Sequence, residues 1–159
     1  RLNLAPKVCL QHANAHLYQS TDRSKFATLF YGILDHPAHR LVFANAGHNR
    51  PFFFTDDEQP RMIESAGLAL SIVEDVAYPE GTLTFEPGDL LLLYSDGITE
   101  AMNEQYDEFG EQQLMDMVGK HRDLSANLLL DKIIESVRQF AGKAPQADDM
   151  TMIVLKRVN

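Results

Sequence analysis

The chain has 159 residues, 45% of them hydrophobic, and a formal net charge of −9, enough apolar material for one buried core and too acidic a balance for binding nucleic acid or anionic lipid. Its single cysteine, Cys9, permits no intramolecular disulfide, and no run nears the roughly 20 apolar residues that cross a bilayer; no membrane insertion is expected, and a reducing, cytoplasmic setting is the default. The acidity is concentrated, with thirteen Asp and Glu and no Lys or Arg from Met62 to Gly119.

The chain opens Arg1-Leu2-Asn3-Leu4 without an initiator methionine or a signal-peptide pattern, as a piece of a longer protein would. Pro6 followed by Leu10, Ala13, Asn14 and Leu17 predicts a first helix that stops before Ser20-Thr21-Asp22. Phe26 to Asp35 and Arg40 to Ala46 are β-rich runs joined by Asp35-His36-Pro37-Ala38-His39, an antiparallel hairpin by its turn residues. Asn45-Ala46-Gly47-His48-Asn49 makes a further turn. Strands are expected over Pro51 to Thr55 and, more weakly, Arg61 to Glu64, separated by a polar link over 56–60. The Phe52-Phe53-Phe54 triplet should fill a core, with one ring on the outer face.

Thr82 to Glu86 and Asp89 to Tyr94 flank Pro87-Gly88, a dipeptide that fits a tight turn between antiparallel neighbours. On that reading the hairpin carries Leu90 to Leu93, and then Asp96, to the rim of a sheet. Glu111 to Val118 reads as a short helix closed by Gly119. Ser125 caps a longer one running to Ala141, with Leu129, Leu130, Ile133, Ile134, Val137 and Phe140 at helical spacing and Gly142 as its stop. A last strand covers Met150 to Leu155. With no repeat, no low-complexity linker and no Gly-rich loop between strand and helix, the economical architecture is α+β, helices packed on antiparallel sheet.

Asp96 follows an apolar strand and precedes Gly97, and Asp148-Asp149 precedes the last strand. Carboxylates at the ends of neighbouring strands are what Mg²⁺ or Mn²⁺ sites use, because these hard ions prefer oxygen ligands. Most of the other acids are solvated surface positions. His48 sits in a turn and is an acid-base candidate by residue type, but local hydrogen bonding accounts for it better than acid-base chemistry. His12 and His16, four apart on the first helix, lack the neighbouring Glu and third ligand of a zinc site.

Phe26-Ala-Thr-Leu-Phe-Tyr-Gly-Ile-Leu-Asp35, Ala44-Asn-Ala-Gly-His-Asn49, Glu86-Pro-Gly-Asp-Leu-Leu-Leu-Leu-Tyr-Ser-Asp-Gly-Ile-Thr-Glu100 and Ala147-Asp-Asp-Met-Thr151 occur in one order and spacing. Taken together they resemble SpoIIE-type protein serine/threonine phosphatases, the bacterial branch of the metal-dependent PPM phosphatases. The resemblance runs from Pro6 to the final strand and implies an antiparallel β-sandwich flanked by helices with a two-metal Mn²⁺ or Mg²⁺ site at one end. It implies that Asp96 and Asp148 are metal ligands, that Asp149 stands behind them, and that Gly97 lets the chain pass close to the metals. It also places Ser71 where relatives usually have glycine, and His48 in a turn that often carries an aspartate near an accessory metal.

The family's first metal aspartates lie in a Gly-rich segment ahead of the first helix, and this chain has no such segment. The resemblance therefore implies the C-terminal two-thirds of a phosphatase domain, N-terminally truncated, with a sensor or receiver domain upstream. Two carboxylates should hold these ions weakly, and a sheet lacking strands should self-associate, for instance as a homodimer. The implied substrate is a phosphorylated protein, an anti-sigma-factor antagonist. The alternative is a phosphatase-like module without catalysis whose acidic rim binds a basic partner as a scaffold. A third reading, an ordinary α+β domain with surface acids, must treat the ordered motifs as chance.

Overall fold

A computed structural model describes residues 5–22, 24–56, 59–64 and 67–158. The opening residues 1–4, and Asp57 and Glu58 of the polar link, lie outside them. In chain order the elements are α1 (Pro6–Ser20), β1 (Leu29–Asp35), β2 (Arg40–Ala46), β3 (Phe52–Phe54), β4 (Arg61–Met62), β5 (Glu80–Thr84), β6 (Leu90–Tyr94), α2 (Asp96–Thr99), α3 (Glu111–His121), α4 (Ala126–Ala141) and β7 (Met152–Lys156). They form two compact units, Arg1–His48 with Glu64–Phe85 and Asn49–Ile63 with Glu86–Asn159. Each contains an antiparallel sheet, of order β1-β2-β5 in the first and β4-β3-β6-β7 in the second. The expected mix of helix and antiparallel sheet is thus what the chain adopts.

In the first unit, β1 and β2 form the expected hairpin, paired from Leu29↔Ala46 to Asp35↔Arg40. Its turn is closed by Ala38 N donating to Asp35 Oδ1 at 3.1 Å, with His39 at a φ of 49°. The strand starts at Leu29 and not at Phe26; Ala27 makes an isolated bridge to Leu70 instead. Pro6 opens α1 at its first turn, where its missing N–H costs nothing. Leu10 packs with Ala44, Ala46, Leu70 and Tyr78. One turn further on, the buried Asn14 donates to the carbonyls of Val73 (2.9 Å) and Glu74 (2.7 Å) and accepts from Ser71 N (2.8 Å). Ser71 is held at a φ of 73°, the left-handed backbone that favours glycine.

The second unit is built on β6, whose Leu90, Leu91 and Leu92 are fully buried. Phe52, Phe54, Tyr94 and Ile98 share a core with Leu114 and Val118 of α3 and with Leu129, Ile133 and Val137 of α4. Phe53 is also buried, and the Arg61 guanidinium lies 5.6 Å from its ring centre, so no ring of the triplet is left on an outer face. Ser125 caps α4 as expected, its hydroxyl accepting from Leu128 N, and Gly142 ends it at a φ of 60°.

Three further expectations are corrected. The turn at Pro87-Gly88 forms, with Asp89 N donating to Glu86 O at 3.0 Å and Gly88 at a φ of 94°, but it does not make a hairpin. β5 pairs with β2, while β6 pairs with β3 and β7. The turn's outward hydrogen bonds explain this: Gly88 N donates to Arg157 O and Arg157 N to Asp89 O, both at 3.0 Å, so the chain leaves the turn beside the flank of β7. Helix α3, in turn, continues through Gly119 to His121. Lys156 Nζ donates to the carbonyls of Arg122 and Leu124, moving the capped end beyond the glycine. The last strand likewise begins at Met152 and not at Met150.

Candidate metal-site residues

The pairing of β6 with β7 brings the acidic positions together. Tyr94 faces Met152 in the antiparallel register, so the residues after Tyr94 and those before Met152 leave the sheet at the same end. Ser95 makes the join. Its N–H donates to Thr151 O (2.9 Å), its hydroxyl donates to Asp149 O (2.9 Å) and accepts from Thr151 N (2.9 Å). The chain then winds into the single turn of α2, with Asp96 at its start and Ile98 buried beneath. A helical turn there, in place of a simple bend, was not foreseen.

Gly97 has a different reason from the one a turn would supply. Its φ is not in the left-handed region; what it provides is closeness, since a Cβ there would sit 2.5 Å from Asp149 O and 3.2 Å from the Asp148 carbonyl carbon. Only glycine lets the two segments approach this far.

Asp96, Asp148 and Asp149 are all exposed. Asp96 Oδ1 accepts from Gly97 N (2.9 Å), and Asp148 Oδ1 accepts from Asp149 N (2.7 Å). Each of these bonds fixes a carboxylate against its own backbone while leaving a second oxygen on the same group. The Asp148 carbonyl is held by Gln146 Nε2 at 2.8 Å. Beneath them, the Tyr94 phenol donates to Glu111 Oε1 at 3.0 Å. Burial, reinforced by that carboxylate, pushes the phenol's pKa well above its ordinary value, so it stays neutral and anchors β6 to α3.

These carboxylate oxygens fit a hard divalent ion by type. Among the described residues no group of three or more His, Cys, Asp or Glu is placed to enclose one.

His48 lies in the other unit, in a locally closed turn. Its N–H donates to Asn45 Oδ1 and its carbonyl accepts from Asn45 Nδ2, both at 2.8 Å, while its Nδ1 is hydrogen-bonded to the Thr28 hydroxyl at 3.2 Å. Gly47, at a φ of 69°, packs against Ala69. Ser95 was not singled out by its sequence; a hydroxyl between an apolar strand and an aspartate was the available sign.

The family described as Stage II sporulation protein E (SpoIIE) matches residues 1–158. The chain is 31% identical over 154 residues to the phosphoserine phosphatase RsbU of Bacillus subtilis, covering 96% of this chain and 45% of that protein. It therefore spans less than half the length of that relative. Among solved structures, the SiaA-PP2C domain of Pseudomonas aeruginosa superposes at a TM-score of 0.83 with 19% identity, over 96% of this chain and 61% of that one. The manganese-presoaked phosphatase domain of SpoIIE from B. subtilis gives 0.65 with 22% identity, over 99% and 68%. At these identities the structures establish a shared fold.

Proposed function

This chain belongs to the SpoIIE family, and on that premise we propose that the protein containing it removes phosphate from phosphoserine or phosphothreonine on a regulatory partner protein in bacterial signalling. The observation that carries this reading is the β6–β7 register, which sets Asp96 and Asp148 at one sheet end with Gly97 against the Asp149 backbone.

In this reading Asp96 and Asp148 are the ligands this chain offers to Mn²⁺ or Mg²⁺. A bound pair of such ions supplies an activated water and neutralises charge on the transferred phosphoryl group. The remaining coordination positions fall to water and to ligands from elsewhere. Asp149 acts through its backbone, which receives the Ser95 hydroxyl and so holds the two strand ends in register. No side chain has to form a phosphoenzyme. By family resemblance the substrate is an anti-sigma-factor antagonist. A cytoplasmic setting fits such a partner, and no helix among the described residues is long and apolar enough to cross a membrane.

The test is Mn²⁺-dependent phosphate release from a phosphoserine peptide by the complete protein and its Asp96→Asn variant. Loss of turnover by at least about 100-fold in a folded variant is expected for a removed ligand to a catalytic metal. Wild-type turnover in that variant would sink the assignment, and absence of turnover in the parent would favour a non-catalytic scaffold.

A further inference from the structure

Within the second unit, the space between the end of α4, the 142–148 turn and the residues after α2 is a cavity of about 420 Å³. Its wall includes Val137 and Ala141 of α4, Met102 and Met150, and it reaches Gly97 and Asp148. The cavity and the paired strand ends therefore share two residues. Its charged lining is Glu100, Arg138 and Asp148; away from the Asp148 end, where the phosphate is held in the reading above, Glu100 and Arg138 offset one another. Apolar side chains dominate the rest of the wall, and a concave apolar wall with a few polar groups at its margin is the usual form of a binding pocket.

We propose that this cavity receives an apolar side chain of the phosphoprotein substrate, one that flanks the phosphorylated residue, and thereby selects substrates by local sequence. The proposal rests on the phosphatase reading above. An extended peptide advances about 3.3 Å per residue, so a side chain within a few residues of a phosphate held near Asp148 reaches a cavity that Asp148 itself lines. A branched aliphatic chain suits a wall of thioethers and methyl groups, because Met adapts its shape to what it contacts. Val137 is 2% exposed and belongs to the packed core, which gives the pocket a rigid floor.

The experiment measures kcat/KM of the complete protein on phosphoserine peptides carrying Leu or Ala at each of the positions flanking the phosphate, with p-nitrophenyl phosphate as a substrate that has no flanks. At one position the Leu peptide is expected to be preferred by about tenfold, the usual effect of filling an apolar pocket. Ala144→Phe, which adds bulk from the 142–148 turn into the cavity, and Met102→Asp, at a site 38% exposed, should each bring that ratio close to one. Using two variants guards against one that fails to fold. A parent enzyme indifferent to Leu or Ala at every position, or a preference that survives in both folded variants, overturns the proposal while leaving the phosphatase reading intact. No hydrolysis of p-nitrophenyl phosphate or of any peptide would instead overturn the phosphatase reading, and this proposal with it.

Discussion

Gly97 and Asp149 approach so closely that any side chain at position 97 would collide with the Asp149 carbonyl, at 2.5 Å from a Cβ. The obstacle is backbone, which has no rotamer to change. Gly97→Ala should therefore push the two strand ends apart. We expect a loss of about 1–3 kcal/mol, the usual cost of overpacking a tight contact, and a higher Mn²⁺ concentration for half-maximal activity. Thermal unfolding and a metal titration of activity check the two effects, and a variant with unchanged metal dependence would show that this approach does not shape the site.

Ser95 holds the same junction by hydrogen bonds. Its hydroxyl serves Asp149 O and Thr151 N at once, each at 2.9 Å. Ser95→Ala removes both, and at about 0.5–1.5 kcal/mol for each net bond the destabilisation should be about 1–2 kcal/mol because the site is half exposed. Chemical denaturation reads the stability, and hydrogen exchange at the Thr151 amide reads the local release.

Ser71 sits at a φ of 73°, with its hydroxyl hydrogen-bonded to that of Thr21 at 3.0 Å. Left-handed backbone costs a non-glycine residue about 1 kcal/mol or more. Ser71→Gly relieves this but gives up the hydroxyl contact, whereas Ser71→Ala gives up the contact and keeps the strain. The glycine variant should thus be the more stable of the two by about 1 kcal/mol, read as the difference in denaturant midpoint.

Asp89 is 4% exposed and its Oδ2 accepts from Glu86 N at 2.8 Å. Burial raises its carboxyl pKa above the ordinary value, outweighing the lowering by that hydrogen bond. The folded chain therefore holds this proton more tightly than the unfolded one, and the contribution of Asp89 to stability falls as pH rises from about 4, the ordinary carboxyl value, through the raised value. In Asp89→Asn this dependence disappears. The melting temperature of the variant relative to the parent should move in the variant's favour between pH 4 and pH 7, and a difference that moves the other way would contradict the assignment.

The features readable from sequence were those set by local chemistry. The apolar stripe of α4, the Ser125 cap and the Gly142 stop act within a turn or two of helix, and the hairpin of β1 and β2 is written in its own turn residues. Asp96 and Asp148 stood out because each adjoins a strand of apolar residues. What local pattern did not contain was partner choice. Pro87-Gly88 makes the turn its residues demand, but the strands beside β6 are β3 and β7, and the turn's own outward hydrogen bonds go to Arg157, far along the chain. Past Gly119, the end of α3 is likewise met by Lys156, whose ammonium reaches the carbonyls of Arg122 and Leu124 just beyond the helix. Gly97 was legible as a glycine needed for a close approach beside the candidate aspartates, but the close neighbour is the Asp149 backbone, visible only once β7 is paired.

The strand that brings the two aspartates to one sheet end is β7, which follows every other described strand. β6 is complete at Tyr94, yet its pairing with Met152 waits for almost sixty further residues, a separation that makes the contact slow to form. Until a ribosome has made β7, the segments bearing Asp96 and Asp148 have no register to share. Products that stop short of β7 should accordingly lack the paired arrangement of Asp96 and Asp148, which arises only on a chain made through that strand.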